Sequence, residues 1–138
     1  MTTRQAEQGW TEQELATFGE ATEVQIAPRR GDGSLRRYVP IWIVRVGADL
    51  YVRSAYGPDN PWYRLAVASG AGRLRTPGAE RDVAFEQPGD QVNADVDAAY
   101  HAKYDRYGPA IVGTVVGGTA GGLTLRLTPR RWSATGTR

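Results

Sequence analysis

The stretch "YVPIWIVRVGADLYVRSAYGPDNPWYRLAVAS", Tyr38 to Ser69, decides the fold. Its first nine residues are almost continuously apolar and read as one strand buried on both faces, and "GAD" then turns the chain into "LYVRSA". That is a β-hairpin. Along its second arm side chains alternate, so Val52 and Ser54 share one face while Tyr51 and Arg53 share the other. "YGPDN" is turn chemistry, with Asp59 or Asn60 as the helix cap and Pro61 fixing the first residue of a helix over "PWYRLAVAS". Gly70 or Gly72 ends it.

Upstream, "WTEQELATFGEA" carries a capping box in Thr11 and Glu14, with Trp10 and Leu15 placed as a hydrophobic staple, so a helix starts here. Thr22 to Ala27 alternates as a half-buried strand, and "PRRGDGSLRR" follows as a cationic, glycine-rich turn. Downstream, "GRLRT", "PGAE" and "RDVAFEQ" read as a second hairpin. The clearest helix lies within "GDQVNADVDAAYHAKYDRYG", where Val92, Val96, Ala99, Tyr100, Tyr104 and Tyr107 form one apolar and aromatic face. A glycine-rich connection, "PAIVGTVVGGTAGG", leads to a last alternating strand, "LTLRLTPR". The expectation is an α+β domain, an antiparallel split β-barrel of about six strands with two to four peripheral helices. Residues 10–130 form the single domain, 1–9 a flexible leader and 131–138 a disordered tail.

Composition narrows the chemistry. The chain of 138 residues has no cysteine and one histidine, so thiolate ligands and disulfides are excluded and no metal site is expected. No apolar run approaches the roughly 20 residues that span a bilayer, and no signal segment opens the chain, so the expected location is cytoplasmic. Sixteen of the 17 basic side chains are arginine, yet the net charge is only +2 and no nucleic-acid motif is present, so no nucleic-acid partner is expected.

Two places could carry chemistry. In "RRGDGSLRRYVP", Arg36 and Arg37 open a buried strand beside exposed turn amides, so one of the two guanidinium groups would face a ligand and suit a phosphate. At the end of the first hairpin, the Ser54 hydroxyl, helix N-terminal amides and the rings of Trp62 and Tyr63 would suit a planar anionic heterocycle. The same two rings serve equally to dock the helix onto the barrel. His101, four residues after Asp97, is read as a solvated or lightly paired surface side chain.

The blocks "PIWIVRVG" to "PWYR" and "AKYDRYG" resemble the bacterial proteins grouped as domain of unknown function 2255, with the resemblance running over about residues 10 to 130. That group is similar to split β-barrel proteins that bind flavin mononucleotide or the deazaflavin coenzyme F-420, deazaflavin-dependent nitroreductases among them. In those relatives a "G-R-x-S-G-x-x-R-x-x-P" segment holds the phosphate-bearing part, and "S-x-G" followed by "P-x-W-Y" lies beside the ring. The resemblance implies a phosphate role for Arg36 or Arg37 with Ser34, and a ring border of Ser54, Tyr56, Gly57, Trp62 and Tyr63. This chain has "RRGDGS" where the relatives have "G-R-x-S-G", which puts Asp32 in the turn.

The function implied is a homodimeric oxidoreductase that passes hydride from deazaflavin or FMN to a small conjugated or aromatic substrate, with Tyr56 or Tyr63 as proton donor. The alternative is a barrel with no redox cofactor, a cyclase- or isomerase-like tailoring enzyme that uses the same pocket for a small molecule.

Overall fold

The computed structural model describes residues 9–55 and 57–130. All but Gly9 of the leader expected over residues 1–9, and the tail over 131–138, fall outside the described residues, as does Tyr56. Seven strands form one antiparallel sheet: β1 (Val24–Pro28), β2 (Val39–Ile41), β3 (Val44–Val46), β4 (Asp49–Arg53), β5 (Ala71–Thr76), β6 (Ala79–Glu86) and β7 (Thr124–Pro129), in the order β2-β1-β5-β6-β7-β4-β3. The helices are α1 (Glu12–Gly19), α2 (Pro61–Ser69), α3 (Asn93–Tyr104) and the single turns α4 (Pro109–Val112) and α5 (Gly118–Gly121).

The two edge strands, β2 and β3, are consecutive in sequence and separated only by Trp42 and Ile43. Three Cα–Cα steps span at most about 11 Å, so the sheet has to curl until its edges meet at this seam. Here the structure corrects the reading of "YVPIWIVRV" as one strand. It is two, at opposite edges of the same sheet, and the extra strand brings the total to seven rather than six. The break is stable because Ile43 finds side-chain partners in place of a ladder: its N–H donates to Tyr104 Oη at 3.1 Å, and its carbonyl accepts Lys103 Nζ at 2.7 Å. Pro40, which has no N–H to give, sits in the edge strand, where it costs the ladder little.

Two apolar clusters follow from strand alternation. Inside the curl lie Val24, Ile26, Leu50, Val52, Leu74, Val83, Leu125 and Leu127, closed by Trp10, Leu15 and Phe18 and by Trp62, Tyr63 and Ala66 of α2. On the outer side of β3 and β4, Val44 and Tyr51 pack under Val96, Tyr100 and Tyr104 of α3. Both faces of β4 are therefore covered. At the β1–β5 contact Gly72 is needed for room, since a Cβ there would lie 2.6 Å from the Ala27 carbonyl oxygen.

The caps expected at the start of α1 and at the end of α2 are present. Thr11 and Glu14 bond each other's backbone, and the buried Trp10 donates its indole N–H to the Leu127 carbonyl at 2.9 Å. Gly70 ends α2 in the left-handed region. Asn60 occupies the cap position of α2 but makes no side-chain bond there. Among the described residues no helix is long and apolar enough to cross a membrane, and no group of three or more His, Asp or Glu could hold a metal.

Candidate functional site

A groove of about 330 Å³ opens beside the seam. Its walls are Pro40, Ile41 and Trp42 of the seam, Arg53 and Ala55 at the exit of β4, Asn60 and Trp62 at the start of α2, and Ile111, Thr114 and Val115 from the connection after α3. Glu23 adds a carboxylate at the rim. Trp42 keeps one face on Tyr104, with centroids 4.0 Å apart and planes 3° from parallel, and contributes to the groove wall. Trp62 meets Tyr63 edge-on at 5.9 Å and is 5 % exposed, so it belongs to the core as well as to the wall.

The residues nominated around the ring thus divide. Trp62 lines the groove, while Tyr63, 6 % exposed, packs behind it in the core. Ser54 is buried and donates its hydroxyl to the Gly57 carbonyl at 2.7 Å, tying the turn together at the groove's end. Gly57 has φ near +102°, which only glycine adopts without strain. Tyr56 lies between them, outside the described residues.

The arginine turn lies along the strand from this groove and does not line it. Most of its polar groups serve the turn itself. Arg29 donates to Gly33 O at 2.8 Å and Arg30 to Leu35 O at 2.9 Å. The Ser34 N–H and hydroxyl both donate to Asp32 Oδ1, at 2.9 and 2.7 Å, and these bonds hold the Asp32 carboxyl below its ordinary range. Arg37 is exposed. Arg36 differs: its Nη1 is buried and has no hydrogen-bond partner.

Sequence reading missed Arg53, Trp42 and Glu23. Arg53 is 1 % exposed and is the hub beneath the groove, reaching Thr124, Asp97, Asn93 and Val115. Its guanidinium also lies 5.6 Å from the Tyr100 ring centre. Burial, then the neighbouring Tyr104, raises the Tyr100 hydroxyl pKa, and Tyr104 is pushed up to about 12, chiefly by burial. Both stay protonated, and the Tyr104 hydroxyl donates to the Thr22 carbonyl at 2.7 Å. Tyr100 Oη and Asn93 Oδ1 are buried without a partner in this cluster. The available signal was a lone cation inside an otherwise apolar strand, "LYVRSA", which has to find an anion once α3 covers that face. His101 is exposed as expected, but its Nδ1 pairs with Asp105 at 2.8 Å and not with Asp97, which Arg53 has taken.

The family described as "Uncharacterized protein conserved in bacteria (DUF2255)" matches residues 14–127. Among solved structures, the heme storage protein HutZ from Vibrio cholerae is similar at 14 % identity over 87 % of this chain and 90 % of that one, with a TM-score of 0.58. A structure described as a domain-swapped dimer matches at 18 % identity over 94 % of this chain and 93 % of that one, TM-score 0.57. The FAD and heme binding protein from Mycobacterium smegmatis matches at 19 % identity over 88 % of this chain and 66 % of that one, TM-score 0.51. These likenesses show a shared split-barrel fold. No curated protein matches.

Proposed function

The chain belongs to the DUF2255 family of bacterial proteins, and on that footing we propose that it is a small-molecule oxidoreductase whose seam groove holds the ring of a deazaflavin or of FMN. The observation that carries this reading is the meeting of Trp42 and Trp62, from the seam and from α2, in the walls of one groove. Flat aromatic walls suit a flat conjugated ring. The volume is at the lower end of the roughly 300 to 1,000 Å³ of small-ligand sites, room for a ring system rather than a whole cofactor.

The rest of the cofactor has a path. At about 3.3 Å per residue, the chain leading back from Pro40 and Ile41 puts the Arg37 and Arg36 backbone roughly 10 to 15 Å away, a span that needs the ribityl phosphate and the length of the arginine side chain together. The partnerless Arg36 Nη1 is the kind of donor that a phosphate oxygen satisfies. Ser34 joins it only by releasing Asp32. Ser54 and Gly57 tie the turn that would border the ring, and Tyr56 or Tyr63 is proposed to give a proton to the reduced substrate, Tyr63 only by reaching past Trp62 from the core. When bound, the cofactor supplies hydride chemistry, while the chain orients the ring and keeps water from it. A haem reading is weaker, because none of the described groove residues is His, Cys, Met or Tyr, the ordinary ligands of its iron. A homodimer in the cytoplasm completes the proposal; the domain-swapped structure of similar fold supports the dimer.

Titration with FMN and with coenzyme F-420, followed by ring fluorescence, tests the reading. Saturable binding of either is expected, and no binding of both at high micromolar concentration overturns it. One observation favours a second reading: neither Arg36 nor Arg37 lines the groove, and Asp32 occupies Ser34. In that case the groove takes its substrate directly, as a cyclase- or isomerase-like enzyme would, and mass spectrometry of the purified protein finds a non-flavin ligand.

A further inference from the structure

Arg53 and Asp97 hold the groove wall formed by Ile111, in α4, and by Thr114 and Val115 in the turns after it. Arg53 Nη1 donates to the Val115 carbonyl at 2.8 Å and also pairs with Asp97 Oδ1. The same Asp97 oxygen accepts the Gly117 N–H at 3.4 Å. Thr124 Oγ1, which accepts Arg53 Nε at 2.8 Å, donates to the Gly121 carbonyl at 2.8 Å. Three backbone groups from Val115 to Gly121 are thereby fixed by one cluster around the buried Arg53 guanidinium.

The segment needs such anchors. "VGTVVGGTAGG" carries five glycines and few large side chains, so it loses much backbone freedom on ordering and gains little burial in return. Its residues Thr114 and Val115, with Ile111 just before, form one wall of the groove. An ion pair with one partner buried and the other one-third exposed adds little net stability over an apolar replacement of the same size, so its effect here lies in position. We infer that Arg53 and Asp97 are positioning residues that set the place of the Ile111–Val115 wall, and with it the width of the ring system that the groove admits. As a statement about ligand choice this rests on the groove reading above; as a statement about the wall it does not.

The test uses the full chain without ligand. In Asp97→Ala, amide hydrogen exchange at Val115, Gly117 and Gly121 is expected to speed up by about tenfold or more, while amides of the β5–β6 ladder keep their rates. Unchanged exchange at the three amides overturns the inference, and so does an equal rise in the ladder, which would mean a general loss of stability. Should Asp97→Ala fail to fold, the double variant Arg53→Met with Asp97→Ala removes both charges and keeps most of the volume, and the same two results decide. Titration with riboflavin and with coenzyme F-420 separates this from the groove reading. Failure of the wild type to bind either riboflavin or coenzyme F-420 counts against the groove, whereas the exchange rates decide the wall by themselves.

Discussion

Trp42 lies flat on Tyr104, with ring centroids 4.0 Å apart, and the Tyr104 hydroxyl reaches past it to take the Ile43 N–H and to donate to the Thr22 carbonyl at 2.7 Å. One side chain of α3 thus holds the point where the sheet's two edges meet and supports the aromatic wall of the groove. Tyr104→Phe keeps the stack and leaves the buried Ile43 N–H without its acceptor. A loss of about 1 to 3 kcal/mol in urea unfolding is expected; a change below about 0.5 kcal/mol would mean that the seam does not depend on this hydroxyl.

Trp62 has two duties. At 5 % exposure in the barrel core, Trp62→Ala is expected to cost about 3 to 5 kcal/mol by chemical denaturation, because a large cavity remains. Trp62→Phe refills most of that space. If the groove reading holds, that variant folds with a modest loss and binds FMN more weakly; unchanged affinity would confine Trp62 to packing.

Much of this was legible in the sequence. The hairpins, the Thr11 and Glu14 capping box, Pro61 at the start of α2 and the Tyr100 and Tyr104 part of the tyrosine stripe rest on local chemistry and periodicity, and the structure has them; Tyr107, expected on the same face, lies past the end of α3 and is 40 % exposed. The split of "YVPIWIVRV" into two edge strands was not legible. Its apolar run is what a central strand shows, and the break depends on Tyr104 and Lys103, some 60 residues away. The groove was half legible: Trp62 was found, while Arg53 was passed over because its partners come from α3, β7 and the glycine-rich connection.

Lys103, the sole lysine, makes stability depend on pH. Burial, reinforced by Arg106, lowers its pKa from 10.5 to about 8, against a smaller opposing pull from Glu20. Between those two values the unfolded chain binds the proton that the folded one has released, so this group's contribution rises with pH. Its cost is fully present below about pH 8 and relieved by pH 10.5. Urea unfolding of wild type and Lys103→Met across that window should show the difference moving in favour of the wild type. A constant difference would show that Lys103 titrates normally.

Arg36 is expected to read the phosphate. Wild type should bind FMN more tightly than riboflavin, and Arg36→Ala should erase that preference, a loss of about 10- to 100-fold for a charged hydrogen bond. Riboflavin affinity should stay where it was. If Arg37→Ala erases the preference and Arg36→Ala does not, the phosphate role belongs to Arg37.

The most direct measurement is a two-dimensional proton–nitrogen spectrum of the tryptophan indoles during addition of FMN, with assignments from single Trp→Phe variants. Trp42 and Trp62 line the groove, whereas the Trp10 indole N–H is bonded to the Leu127 carbonyl. The Trp42 and Trp62 signals should move together along one saturation curve while Trp10 stays in place. Movement of neither at high micromolar FMN, or movement of Trp10 alone, would contradict a flavin ring in the seam groove.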